Sequence, residues 1–491
     1  MPFRDSAFIV ITLTLSFLLP RQACGETNPA VAAGGAHALA LAADGSVWAW
    51  GFNDQGQLGD GTLQYSTAPI LVQGLPEIKA VSAGYTSSMA LGHDGSVWTW
   101  GSNLSGELGD GTTTSRHRPI KIQGLDNVDA VTLNASTAMA IKNDGTLWLW
   151  GQNSHRTMGS SGGATLTPQP LSSISDVAGV GIGLSSIFAY THDCALWAWG
   201  GNSFGQLGDG SYSPQPTPIR INITACLSQI SASNHTLAIS STGELWAWGY
   251  NHDGQLGAGS TNNTPTPTLL TLQGNNFIAV ACDHHSLALK RDGTLLSWGK
   301  NDYGQLGDGT TSNRPTPLPV EGMSSVTSIA AGAMFTLAVK ADGSVWAWGI
   351  NTYGQLGDGS TENQSVPTQV TGFEGISTLN LKRPATGLNQ STQEIPPVSF
   401  STLPPAGSAP LTVSFQRTVK SGPPPVSIHW DFGDGEVANS HNPLHIYTSP
   451  GTYIVTLTVT YKEGIFREAM RQILIKPSKE QEPRPQTNSS R

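Results

Sequence analysis

Three histidines, His37, His235 and His285, stand at one position of a pattern that returns every 49 or 50 residues, and imidazoles gathered in this way are common metal ligands. Other copies fill the same position with Ser87, Thr137, Ser186 and Phe335. Phenylalanine cannot ligate, so the position reads as packing. Acidic loops such as Asp60-Gly61 invite a calcium reading, yet each offers one carboxylate where a calcium ion takes roughly six to eight oxygens. They read as turns. Asp431-Phe432-Gly433 matches a kinase tripeptide without a phosphate loop, a strand lysine or a catalytic loop to accompany it. No Ser-His-Asp grouping or other activated nucleophile can be assembled, so the sequence predicts a binding protein with no metal and no cofactor rather than an enzyme.

What positions these residues is a tandem repeat. Trp48-Ala49-Trp50-Gly51 recurs as Trp98-Thr99-Trp100-Gly101, Trp148-Leu149-Trp150-Gly151, Trp197-Ala198-Trp199-Gly200, Trp246-Ala247-Trp248-Gly249, Leu296-Ser297-Trp298-Gly299 and Trp346-Ala347-Trp348-Gly349. A unit of this length cannot bury its apolar face alone, so a fixed period of about 50 residues implies stacked repeats. Within one copy, Leu39 and Leu41 alternate with small residues, Asp44-Gly45 turns the chain, and Val47 to Trp50 alternate again, which is a hairpin. A glycine-rich loop, Gly56-Gln57-Leu58-Gly59-Asp60-Gly61, leads to the strand Pro69 to Val72, and another runs from Ile78 to Ser82. Four strands per copy and seven copies predict an all-β fold, a seven-bladed β-propeller over residues 30–381. The first copy begins midway, at Val31-Ala32-Ala33-Gly34, and the last ends midway, at Val366 to Leu381. These halves are expected to pair in one blade and close the ring.

Charge narrows the partners. Between Val31 and Leu381 there are 24 acidic residues against 12 basic ones, and the whole chain carries −9, so phosphate backbones are repelled and no nucleic acid is expected. Residues 1–25 read as a signal peptide: Arg4, an apolar run from Ala7 to Leu19, and Ala23-Cys24-Gly25 before the cut. The expected product is secreted or held at the cell surface, with no membrane span after signal removal. Export leaves Cys194, Cys226 and Cys282, enough for one disulfide and one free thiol, and the sequence fixes no pairing.

Trp-x-Trp-Gly-x-Asn-x-x-Gly-Gln-Leu-Gly-Asp-Gly, at Trp346 to Gly359 and again at Trp197 to Gly210, resembles the repeat of the regulator-of-chromosome-condensation family. The resemblance implies the propeller and, through the family's nuclear founder, guanine-nucleotide exchange on a small GTPase. The export signal, the acidic balance and the even repeat length stand against exchange. Exported bacterial relatives that cap a β-lactamase through loops on one face imply protein binding instead. Copy three departs from the pattern, with His155-Arg156-Thr157-Met158-Gly159 in place of the usual loop.

Residues 382–396 are polar and Pro-rich, as a linker is. Beyond them Ile428, Trp430 and Phe432 alternate, as do Tyr453, Val455, Leu457, Val459 and Tyr461, which predicts an immunoglobulin-like β-sandwich over 397–477. Trp430-Asp431-Phe432-Gly433-Asp434-Gly435, with His445-Ile446-Tyr447 and Pro450-Gly451-Thr452-Tyr453, resembles the polycystic-kidney-disease (PKD) domain, which implies a spacer or adhesion role. The tail, 478–491, is expected to be disordered.

One rim of the ring collects equivalent loop residues: Gln55, Ser105, His155, Phe204, Asp253, Tyr303 and Tyr353. Phe204, Tyr303, Tyr353 and His155 are the expected partner-binding residues, with packing against neighbouring loops as the alternative role of the aromatics. The expected partner is an extracellular or cell-surface protein, ahead of a cell-surface glycan.

Overall fold

The computed structural model describes residues 30–372, apart from 135, 154–162 and 273–275, and residues 399–477, apart from 405, 419–426, 441 and 461–465. The expected signal peptide, linker and tail, and His155, lie outside the described residues. The chain divides into two compact units, one on either side of residue 384.

The first unit holds seven four-stranded antiparallel sheets, each made of four consecutive strands. In blade 1 these are Ala30–Ala33, His37–Leu41, Val47–Gly51 and Ser66–Leu71. The remaining blades span 78–121, 128–171, 177–221, 227–269, 277–319 and 326–369. The alternation seen in the sequence becomes register: Ala38 pairs with Trp50 and Leu39 with Ala49. At the end of the third strand the ladder shifts between Ala49 and Gly51. Gly51 has φ +95°, and a Cβ there would lie 2.5 Å from the Ala36 carbonyl oxygen, so only glycine lets the chain leave the blade at this point.

The second tryptophan of each motif is wholly buried: Trp50, Trp100, Trp150, Trp199, Trp248, Trp298 and Trp348. The first tryptophan is half-buried and in blades 1, 2, 3 and 7 anchors the Asp-Gly turn. Asp342 Oδ1 accepts from the Ser344 N–H and hydroxyl, and Ser344 Oγ accepts from Trp346 Nε1–H at 2.8 Å. Outer strands carry prolines such as Pro69, Pro119, Pro267 and Pro367, which remove donors from the edge and discourage pairing with other chains.

Ring closure differs from the expectation of a shared blade. Ala30–Ala33 pairs with His37–Leu41 of its own copy, and Gln364–Gln369 completes blade 7, so among the described residues no sheet draws strands from both ends. The short Gly34–Ala36 turn satisfies the first strand locally and leaves no half-blade to fill. The seam between blades 7 and 1 closes without a shared sheet, by packed side chains and by hydrogen bonds between loops. Val31, Ala38, Trp50, Phe335, Leu337 and Val345 share one core cluster across it.

The second unit is a sandwich of a three-stranded sheet and a five-stranded sheet. Val413 and Phe415 of the first sheet pack with Ile428, Trp430, Val455, Leu457, Val459 and Ile473 of the second. Asp431-Phe432-Gly433 forms a turn in which Asp431 Oδ1 accepts from the Gly433 N–H at 2.8 Å. The buried Tyr447 hydroxyl donates to the Phe432 carbonyl at 3.0 Å, fixing that turn on the core.

Candidate functional site: the loop rim of the propeller

Among the described residues, six third-to-outer-strand loops are built on a buried asparagine. In blade 6, Asn301 Oδ1 accepts from the Leu306 N–H at 2.9 Å, while Nδ2 donates to the carbonyls of Thr310 and Ser312, each at 3.1 Å. Gln305 Oε1 takes the Tyr303 N–H at 3.0 Å. The Gly309 N–H then reaches the Ser365 carbonyl of blade 7 at 2.9 Å, and Arg314 pairs with Asp308 at 2.5 Å. A loop this heavily bonded is a rigid mount, the kind of element on which a binding residue is held in place.

The Gln305 carbonyl also accepts the indole N–H of Trp348 at 2.9 Å. The same bond joins Trp100 to Gln57, Trp150 to Glu107, Trp248 to Gln206, Trp298 to Gln255 and Trp50 to Gln355. Among the described residues, six of the seven seams are bracketed in this way, each loop holding the next blade.

Of the residues expected to bind a partner, Tyr303 and Tyr353 are exposed, at 38% and 40%. Tyr353 leans on Phe52, ring centroids 4.4 Å apart. Phe204 is half-buried against Tyr250 at 4.9 Å, and Tyr250 in turn contacts His252 at 4.7 Å. Burial raises the Tyr250 phenol above its ordinary range, and the Asp302 carboxylate beside Lys300 does the same for that amine. Phe204 is thus half-buried by its ring contact, Tyr353 keeps an exposed face beside Phe52, and Tyr303 projects.

Further exposed side chains on this rim escaped the sequence reading: Tyr65, Tyr85 and Tyr212, with Leu63 and Leu104. Among the described residues, every large apolar side chain exposed in a propeller loop lies on this rim, and the Asp-Gly rim has none. Tyr65 and Tyr212 occupy loop positions outside the repeated motif, where no packing duty calls for an aromatic. That mismatch is the signal that could have found them.

The three repeat histidines are fully buried, and burial lowers each to about 3, so they are neutral imidazoles. Among the described residues, no three His, Cys, Asp or Glu side chains are placed to hold a metal ion. Cys194 and Cys226 form a disulfide, a pairing the sequence left open. Cys282 is a free buried thiol pushed up to about 12 by burial, which makes it a poor nucleophile. The seven inner strands surround a cavity of about 170 Å³ on the ring axis, lined mostly by small side chains and backbone. Among the described residues, no helix is long and apolar enough to cross a membrane.

The profile of the "Regulator of chromosome condensation (RCC1) repeat" matches residues 44–91, 94–138, 195–239, 242–289, 292–339 and 342–381, and a second profile of that repeat matches 30–57, 78–107 and 326–355. Neither covers 139–194, which contains the divergent loop of copy three. A PKD-domain profile matches 393–473. Among curated proteins, a microbial collagenase of Vibrio alginolyticus is 37% identical over 65 residues, 13% of this chain and 8% of the collagenase. The human E3 ubiquitin-protein ligase HERC2 is 53% identical over 45 residues, 9% of this chain and 1% of the ligase. The chain thus spans less than a tenth of either relative.

Among solved structures, Prp20p of Saccharomyces cerevisiae superposes with a TM-score of 0.61 at 23% identity, covering 67% of this chain and 86% of Prp20p. Human WBSCR16 gives 0.60 at 21%, covering 66% and 94%. At these identities the likeness is one of fold. Seven blades, with profile matches to this repeat over more than half of the chain, followed by a sandwich matching the PKD profile, place the chain in the regulator of chromosome condensation (RCC1) repeat family, with a PKD domain after the propeller.

Proposed function

We propose that this chain is an exported, non-enzymatic binding protein whose propeller holds a partner protein on its loop rim, with the PKD domain as spacer or adhesion module. The observation that carries the reading is the asymmetry of the two rims: Tyr65, Tyr85, Tyr212, Tyr303 and Tyr353 are exposed on one, and no large apolar loop side chain is exposed on the other, among the described residues. Tyrosines on rigid loops offer large contact area at small entropic cost, as interface anchors do. His155, which shares the repeat position of Tyr303 and Tyr353 in the sequence, is proposed as a further contact.

Export is supported by the Cys194–Cys226 disulfide, a bond typical of oxidising compartments, and by the similarity to a microbial collagenase. A second reading, exchange on a small GTPase, draws on the fold shared with Prp20p, a protein studied for binding Gsp1p and histones. A glycan partner is the third.

The test is capture from the extracellular fraction of the source organism on immobilised chain, followed by hydroxyl-radical footprinting of each complex. The proposal expects a protein partner that protects the loop rim. Protection confined to the Asp-Gly rim or the outer strands, retention of glycans alone, or accelerated guanine-nucleotide release from a captured GTPase would overturn it.

A further inference from the structure

We propose that three histidine relays make the propeller acid-labile, so that mild acid opens the ring at the seams between blades 1 and 2, 5 and 6, and 6 and 7. His37 Nε2 lies 2.9 Å from Ser88 Oγ of blade 2, and Ser88 Oγ lies 2.8 Å from the Gln57 carbonyl oxygen. His235, Ser286 and Gln255 repeat the arrangement at 2.7 and 2.7 Å, and His285, Thr336 and Gln305 at 2.7 and 2.8 Å. A carbonyl can only accept, so each hydroxyl donates to it. The histidine must then donate from Nε2 to the hydroxyl oxygen, which fixes the tautomer and leaves Nδ1 bare.

Nδ1 of His37, His235 and His285 is buried with no hydrogen-bond partner among the described residues. A proton arriving there would put a charge and an unpaired donor inside a seam that has no acceptor for them. The same glutamine carbonyls hold the bracketing tryptophans, so the strain falls on the bonds that join the blades.

The charged and titratable neighbours do not relieve it. His37 is lowered by burial alone. His235 and His285 are lowered first by burial and then by His284, and His285 also by His235. His284 is raised, chiefly by its hydrogen bond to Asp283, against the opposing effects of burial and, to a smaller degree, Lys300. Cys282 points its thiol at the His235 carbonyl and carries no charge near neutrality.

The sign follows. Three groups lowered to about 3 contribute stability that is complete above their unfolded value of 6.5 and is lost as pH falls toward 3. His284, raised, works in the opposite direction. Carboxylates titrate mostly below about pH 4, so the histidines act first.

The test is proton uptake on guanidinium unfolding of the whole chain at pH 5.5, compared with the variant His37→Phe/His235→Phe/His285→Phe. Phenylalanine has a precedent at this position in the buried Phe335. The wild type should bind between two and three protons more than the variant, from the Henderson balance of roughly 0.9 proton per unfolded histidine. The variant should also keep its near-ultraviolet circular dichroism about one pH unit further into acid. If the triple variant does not fold, His37→Ser, which copies Ser87 and Ser186, should lower the uptake by about one proton. Equal uptake in wild type and variant, or a wild type that keeps its near-ultraviolet signal to pH 4, overturns the proposal.

Discussion

The indole N–H of Trp50 donates to the carbonyl oxygen of Gln355 at 2.9 Å, a bond between residues 305 positions apart that spans the seam between the first and last blades. Five internal seams carry the same bond, so the ring is closed by a device the repeat already owns. Gly359 N–H adds a second link across this seam, to the Thr67 carbonyl at 3.0 Å.

Trp50→Phe keeps most of the buried ring and deletes the donor, leaving a buried carbonyl short of a partner. The expected cost is about 1–3 kcal/mol, read as a lower urea midpoint for the propeller transition. Trp248→Phe should cost a similar amount, because seam 4–5 uses the same bond. A far larger effect at Trp50 would show that the closing seam is special.

Asn351→Ala removes the side chain that accepts from the Leu356 N–H at 2.9 Å and donates to the Ser360 carbonyl at 3.2 Å. At least two buried backbone groups lose their partner, so a loss of ~2–4 kcal/mol is expected in chemical denaturation. Amide exchange should quicken across Thr352 to Ser360 in particular.

Cys194 occupies the turn position held elsewhere by glycine and has φ +68°, while its disulfide to Cys226 closes a span of 32 residues. Cys226→Ser should lower stability by about 3–4 kcal/mol on the chain-entropy scale. Cys194→Gly with Cys226→Ser should recover part of that loss, since glycine adopts the left-handed turn without strain. Calorimetry with and without reductant reads both outcomes.

Much of the fold was legible. Period-two alternation around Trp50, with glycine after it and Asp-Gly before it, dictates a hairpin, and seven such hairpins dictate the ring. The closure was misread because a tandem repeat has no intrinsic phase: the same strands can be grouped from Val31 or from Ile78, and only the pairing of Ala30–Ala33 with His37–Leu41 decides. The rim was half legible. Phe204, Tyr303 and Tyr353 share a loop position, yet their neighbours on the next blade differ: Phe204 meets Tyr250 and is half-buried, Tyr353 meets Phe52 and stays exposed, and the equivalent neighbour of Tyr303 is Ile350. The pairing of Cys194 with Cys226 depends on the fold bringing a turn and a connector together, which spacing alone does not encode.

The central claim is that the rim tyrosines bind rather than pack. Tyr303→Ala with Tyr353→Ala, measured against a partner captured on the wild-type chain, tests it most directly. Loss of two exposed anchors should weaken binding by ~2 kcal/mol or more, roughly thirtyfold in Kd, with the melting temperature unchanged within about two degrees. A melting temperature that falls while affinity per folded molecule holds would contradict the account and assign both tyrosines to the framework of the ring.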